Sequence, residues 1–453
     1  MMSLWIWQYR QFCARLMGVA LISWLPCARA DSGVDLSQLG GDTTVIDSSI
    51  SAYDHPLANL NNSEALLQHL LGQEGFRRHF GRTLIRGKIR LGPLFNNVSC
   101  ESCHAHNGRG EPTFGQRGSE LVVKVSTQEG RPTLPGGPGE VPLIGLQLHD
   151  HATLGVKPEA RMKIQWELLQ GSYPDGAPYQ LRKPALVVTR TKGSLPLRTM
   201  FSLRRPPPVF GAGLLDAVDA TTLKALADPQ DSNQDGISGS LNMVWDMVRK
   251  RSVPGKFGWK AASPSLTQQI AGVYASDMGV TNPLIKMGSA IPDIDSHILT
   301  RTTFYTKTLA VPQARQQDLP LVQKGKSLFV SLQCSGCHTM TLATGKSSIA
   351  ALANQTIHPM SDLLLHDMGS ELADNRPEFL ASGTEWRTPP LWGIGLVPLV
   401  LGSGQENYLH DGRARSLEEA ILWHGGEAQK SRNDFMNVSS ADRFALIQFL
   451  RSL

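Results

Sequence analysis

Two segments of this 453-residue chain carry the same five-residue signature, Cys100-Glu101-Ser102-Cys103-His104 and Cys334-Ser335-Gly336-Cys337-His338. Thiols three residues apart on one helical turn can reach the two vinyl groups of a single porphyrin. The His that follows can then turn its imidazole onto the iron. From the chain's own Cys and His frequencies, even one such signature is expected in only about 0.002 of shuffled sequences. A thioredoxin-like redox pair would want a βαβ pattern, absent around both motifs, and has no need of the repeated His. A four-Cys zinc site would bring its halves much closer than the 231 residues between Cys103 and Cys334. Disulfides also leave the His unexplained. The motifs predict two covalently bound haem c groups, with His104 and His338 as iron ligands.

The other two cysteines, Cys13 and Cys27, lie in residues 1–30, which hold no acid. Arg10 and Arg15 precede an apolar stretch over 16–25, and Ala28-Arg29-Ala30 closes the segment. This reads as a secretory signal peptide cleaved after Ala30; the alternative is an uncleaved anchor with Trp5 and Trp7 at the interface. Haem attachment follows export in bacteria, so the mature chain is expected in the periplasm, with no stable membrane span. Losing Arg10, Arg15 and Arg29 lowers the net charge from +5 to +2. That balance is too small and too dispersed to imply nucleic acid. With 41% hydrophobic and 18% charged residues, the chain is neither disordered nor a coiled coil.

Apolar positions Leu66, Leu67, Leu70, Leu71 and Phe76 predict a helix over 63–80 ahead of the first motif. The cations that follow, from Arg77 to Arg90, read either as haem-propionate partners or as a solvated face. Short strands are expected over 121–125 and 184–190. Arg205-Pro206-Pro207-Pro208-Val209-Phe210-Gly211-Ala212-Gly213-Leu214 then aligns without a gap to Arg387-Thr388-Pro389-Pro390-Leu391-Trp392-Gly393-Ile394-Gly395-Leu396. Each copy follows a haem motif, which suggests two related units. A helix over 322–332 leads into the second motif, and another over 440–453 closes the chain. The expected fold is therefore mainly α: two cytochrome c-like haem domains, 31–320 and 321–453, the first with a long loop-rich insertion carrying short β-strands.

With these residues assembled, the chain resembles the diheme oxidoreductases sometimes called thiol-oxidoreductase-like, relatives of bacterial diheme cytochrome c peroxidases. The resemblance rests on Gly92-Pro93-Leu94-Phe95-Asn96, Gly108-Arg109-Gly110, Phe257-Gly258-Trp259-Lys260-Ala261, Asp277-Met278-Gly279-Val280-Thr281, residues 361–369 (SDLLLHDMG), residues 387–395 and Leu409-His410-Asp411-Gly412-Arg413 with Leu417-Glu418-Glu419-Ala420. It implies His424 as the second axial ligand of the haem held by Cys334, Cys337 and His338. It also implies His410 as a neighbour steering that haem's electronics. The chain departs from the peroxidases after the first repeat, where Gly213-Leu214-Leu215-Asp216-Ala217-Val218 stands in place of a block with tryptophan and acid. For the distal side of the first haem, held by Cys100, Cys103 and His104, the candidates are Asp216, Met278, His149, His151 and His297. Met278 is the ligand candidate and Asp216 the candidate catalytic acid.

Asp231-Ser232-Asn233-Gln234-Asp235-Gly236 places oxygens at positions 1, 3 and 5 and a turn glycine at 6, the opening of a calcium loop; the twelfth position is Asn242 rather than Glu. Asp231, Asn233 and Asp235 are candidate Ca2+ ligands, against an Asx-rich turn. The expected activity is that of an exported diheme oxidoreductase, one haem transferring electrons and the other meeting a small oxidant such as peroxide. The alternatives are an electron-transfer cytochrome without substrate chemistry and a haem pair that oxidises a protein partner. Every cysteine of the mature chain is committed to haem, so thiol chemistry finds no support.

Overall fold

Glycines decide where the helices cross. The computed structural model describes residues 34–81, 91–115, 118–288, 291–402 and 406–453. The signal segment 1–30 and Arg82, Arg86, Lys88 and Arg90 of the basic cluster lie outside the described residues. The first helix runs Ser63–Arg77, capped by Asn62, whose side chain accepts from the Glu64 amide at 2.8 Å. It crosses the Ser296–Lys307 helix at Gly72, where a Cβ would clash with the Arg301 carbonyl oxygen. In the C-terminal half, Pro320–Ser331 crosses Ser440–Ser452 at Gly325, where a Cβ would clash with the Ala445 carbonyl oxygen. Four residues past each glycine a ring packs on the crossing helix: Phe76 lies 5.3 Å from Tyr305, and Phe329 lies 5.4 Å from Phe449.

The two copies of the sequence repeat pack against each other. Gly211 has φ +70, and a Cβ there would sit 2.6 Å from the Trp392 ring; Gly393 has φ +68 and stands in the same relation to Phe210. Only glycine tolerates both the backbone and the approach. Tyr53 stacks on Phe210 at 4.0 Å and donates to the Gly393 carbonyl at 2.6 Å. Gly213 and Gly395 abut the carbonyls of Lys307 and Arg451, at matching places on the two crossing helices. Tyr53, Phe210, Phe329, Trp392 and Phe449 share one apolar core, so both halves contribute to it.

The expectation of a mainly α fold is overturned. Helix accounts for 29% of the structure and strand for 19%, with six small antiparallel sheets among the described residues. The largest pairing is a hairpin of Ala160–Ser172 with Pro178–Arg190, in register from Ala160 opposite Arg190 to Ser172 opposite Pro178. Its first strand alternates Met162, Ile164 and Trp166 with Lys163, Gln165 and Glu167, the period of a half-buried strand. A second sheet orders Gln147–Leu148, Val122–Ser126 and Met200–Arg204, and buries Val123, Val125 and Leu148 in a core shared with Ala160 and Met162 of the hairpin. The insertion is thus built of strand pairs rather than loops. No helix among the described residues is long and apolar enough to cross a membrane.

Candidate functional site

The helix that ends at Ser331 delivers the second motif to the wall of a largely apolar cavity. Cys334, Cys337, His338 and His424 all line it, although 86 residues separate the two histidines. Phe329, Leu446 and Leu450 close its apolar side. The His338 Nδ1 lies 2.9 Å from the Met360 carbonyl, and the His424 Nδ1 lies 2.8 Å from the Ala420 carbonyl. A carbonyl can only accept, so each Nδ1 carries the proton and each Nε2 keeps its lone pair. Burial lowers both imidazole pKa values, that of His338 to about 4, so both rings are neutral near pH 7, the form that ligates a metal. Two thiols, two neutral imidazoles and an apolar space therefore fit a covalently attached haem with two axial histidines.

The cysteines are chemically quiet. Burial raises the pKa of Cys100 and Cys334 to about 12 and also lifts those of Cys103 and Cys337. A redox pair or a zinc thiolate needs the opposite shift. Among the described residues no cluster of three or more His, Cys, Asp or Glu side chains converges as a metal shell.

His410 lines the same cavity and stacks on Trp386, with centroids 3.6 Å apart and planes 13° from parallel. Burial depresses its pKa to about 3, so the ring is neutral. Lys260 Nζ sits 4.6 Å and the Arg204 guanidinium 4.8 Å from the centre of the Trp386 ring. The long hairpin holds the loop that carries His410. Arg182 donates to the carbonyls of Gly412 at 2.9 Å and Arg413 at 3.2 Å and to Asn407 Oδ1 at 3.0 Å, while its own guanidinium lies 3.8 Å over Trp166.

The first motif sits in a parallel setting. Phe76 lies 6.3 Å from the His104 ring, as Phe329 lies 6.2 Å from His338. The His104 Nδ1 is 3.3 Å from the Gly108 carbonyl, and burial lowers its pKa. Asn97 donates to Cys103 Sγ at 3.2 Å. Met278 is buried in the cluster of Phe80, Phe95 and Tyr274 against which Cys100 packs. The other distal candidates are engaged or remote. Both nitrogens of His149 have partners, Glu159 and the Ser276 carbonyl, each at 2.8 Å. His151 bonds Asp150 at 2.8 Å, and His297 is exposed at the start of its helix. Asp216 forms an ion pair with Lys307 at 2.7 Å and accepts from the Leu266 amide at 3.2 Å. Of the basic cluster, Arg77 pairs with Glu101 at 2.9 Å, inside the first motif, and Arg78 pairs with Glu74 at 3.1 Å.

In the calcium-like loop, Asp231 and Asn233 accept from the Asp235 amide and Asp235 from the Ile237 amide, at 2.9–3.0 Å. Asn242 is committed elsewhere, donating to the carbonyls of Lys260 and Glu378. Sequence reasoning missed Trp386, Arg109 and the buried trio Asp362, His366 and Glu427, all but Asp362 on the cavity wall. His366 bonds Asp362 and Glu427 at 2.8 Å each. The signal for two of the three was the i, i+4 spacing of Asp362 and His366 within SDLLLHDMG.

A family model described as "Di-haem oxidoreductase, putative peroxidase" matches residues 33–303 and 287–453. No curated protein matches the chain. Among solved structures, hydrazine synthase of Kuenenia stuttgartiensis pressurised with 20 bar xenon aligns over 93% of this chain and 96% of that one, at 13% identity and a TM-score of 0.37.

Proposed function

The chain belongs to the di-haem oxidoreductase family, and from that premise we propose that it is an exported diheme cytochrome c enzyme with peroxidase-like activity. The observation that carries the reading is the convergence of Cys334, Cys337, His338 and His424 on one apolar cavity, with both imidazoles neutral and presenting Nε2. Haem, when bound, would supply reversible one-electron chemistry and, where one iron face is open, a place for an oxidant such as peroxide. In this reading Cys334 and Cys337 anchor one haem and His338 and His424 hold its iron, while Phe329 and Leu446 exclude water. Cys100, Cys103 and His104 hold the other haem, the one that meets the oxidant. Asp216 is the proposed group that moves a proton there, its carboxylate oriented by Lys307. Cleavage after Ala30 would deliver the chain to the periplasm, where a redox protein supplies or takes electrons. Ca2+ at Asp231, Asn233 and Asp235 is a separate proposal, tested by melting with calcium and with a chelator.

Electron paramagnetic resonance on the ferric protein, with haem counted by mass, tests the reading. Two covalent haems are expected. His424→Ala should convert one low-spin signal to high spin without changing the haem count; an unchanged spectrum removes His424 from the iron. Asp216→Asn should lower peroxide turnover, whereas a variant that only melts earlier confines Asp216 to its ion pair.

A second reading, electron transfer with both irons capped, draws on one observation: Met278 is buried in the apolar cluster against which Cys100 packs. It requires two low-spin haems that stay low-spin after one-electron reduction and a Met278→Ala variant that opens one of them.

A further inference from the structure

Arg109 follows His104 by five residues, yet its side chain lines the cavity of the second motif. It is only 8% exposed, and its Nε is buried with no hydrogen-bond partner. Among the described residues it forms no ion pair. Its guanidinium lies 5.0 Å over the Tyr408 ring. Tyr53 and Glu406 also face it, but Glu406 bonds Arg451 through Oε1 at 2.6 Å, its buried Oε2 makes no bond to Arg109, and Arg205 nearby adds a second positive charge. Burial alone pulls the Arg109 pKa down.

A buried guanidinium without a carboxylate is costly unless a ligand brings the anion. The cavity that Arg109 enters is the one fitted to haem, whose own anions are two propionates. We propose that Arg109 is the propionate anchor of the haem held by Cys334 and Cys337, so that the segment after the first motif binds the second haem. This rests on the reading of the cavity as a haem site. It gives the two centres a direct link, because the Gly108 carbonyl beside Arg109 is the acceptor that orients His104. The cations expected near residues 77–90 are then not needed for this propionate: the arginines that line the cavity are Arg109, Arg387 and Arg432, all beyond the first motif, and Arg387 already donates to the Gly258 and Thr388 carbonyls.

The test is spectroelectrochemical titration of the purified holoprotein, with Arg109→Gln and Arg109→Lys. Removing the cation leaves the propionate charge uncompensated, which favours ferric iron. Arg109→Gln should therefore lower the midpoint of the second haem by a tenfold or larger shift in its reduction equilibrium, about 59 mV for one electron. Arg109→Lys should restore most of it, and the first haem should move less. The propionate bending band of the second haem in resonance Raman should shift in the Gln variant. A Gln variant with two covalent haems and an unchanged midpoint and band overturns the anchor. So does a spectral response of the wild-type second haem to added succinate, which would place the anion in solution. If Arg109→Gln does not fold, the wild-type Raman band decides, since a band at the position of unpaired propionates also refutes it. A wild-type protein with no haem on Cys334 and Cys337 would instead overturn the cavity reading itself.

Discussion

His104, His338 and His424 share one local arrangement: Nδ1 directed at a backbone carbonyl and burial that lowers the pKa of the ring. Such a hydrogen bond fixes tautomer and orientation before any metal arrives. His366, on the same cavity wall, is the opposite case. Burial alone would lower its pKa, but its bonds to Asp362, Cys337 and Glu427 raise it to about 12, so it stands as an imidazolium between two carboxylates. Its loss would leave both acids buried without their cation, the situation in which breaking a buried pair costs about 3–5 kcal/mol. His366→Asn should therefore unfold at markedly lower temperature or denaturant. A loss below about 1 kcal/mol would mean that the acids are held by other donors, such as Ser238 and the Asp367 amide that Glu427 also meets.

At the scale of elements, the helix crossings depend on missing side chains. Gly325→Ala would push a methyl into the Ala445 carbonyl, and overpacking of this kind costs about 1–3 kcal/mol. Gly272, inside Leu266–Met278, meets nothing within 4 Å, so Gly272→Ala should stabilise by about 0.5–1 kcal/mol. Chemical denaturation of the two variants should give opposite signs, and equal signs would contradict the crossing geometry. The long hairpin acts as a brace through Arg182. Arg182→Ala removes the donors to the Gly412 and Arg413 carbonyls and should loosen the His410 loop; in the proposed holoprotein that would broaden the spectral signature of the haem at the second motif without changing the haem count. The alternation that makes this hairpin was present in the sequence at Met162, Ile164 and Trp166. Part of its partner was expected as the short strand over 184–190; the full ladder of thirteen pairs, and the bonds of Tyr173 and Arg182 to Glu418 and Glu419 more than two hundred residues away, came only with the structure.

Across the whole molecule, an ion network joins the insertion to the C-terminal half. Glu378 bonds Arg376 at 3.1 Å and Arg204 at 3.3 Å, while Lys260 bonds Asp374 at 2.8 Å. Burial alone would raise the Glu378 pKa, but Arg376, Arg204, Lys124 and Lys260 hold it at about 2, against 4.5 when unfolded. The folded state holds its proton less tightly, so the contribution is full above pH 4.5 and is lost as pH falls towards 2. It amounts to roughly 3 kcal/mol at 1.36 per unit. Melting temperature should fall through that window in the wild type, and the fall should be shallower in Glu378→Gln.

The sequence by itself determined the two C-x-x-C-H motifs, the helices ahead of them, the closing helix and the paired repeat. Each of these is a local pattern whose chemistry is complete within a few residues. The resemblance carried by the sequence already implied that His424 faces His338; tertiary structure alone decided that His410 stacks on Trp386 and that Arg109 enters the site of the other motif. It also decided that the insertion is a set of strand pairs. These are contacts between positions far apart along the chain, selected by which apolar surfaces bury together and by which buried charges find partners.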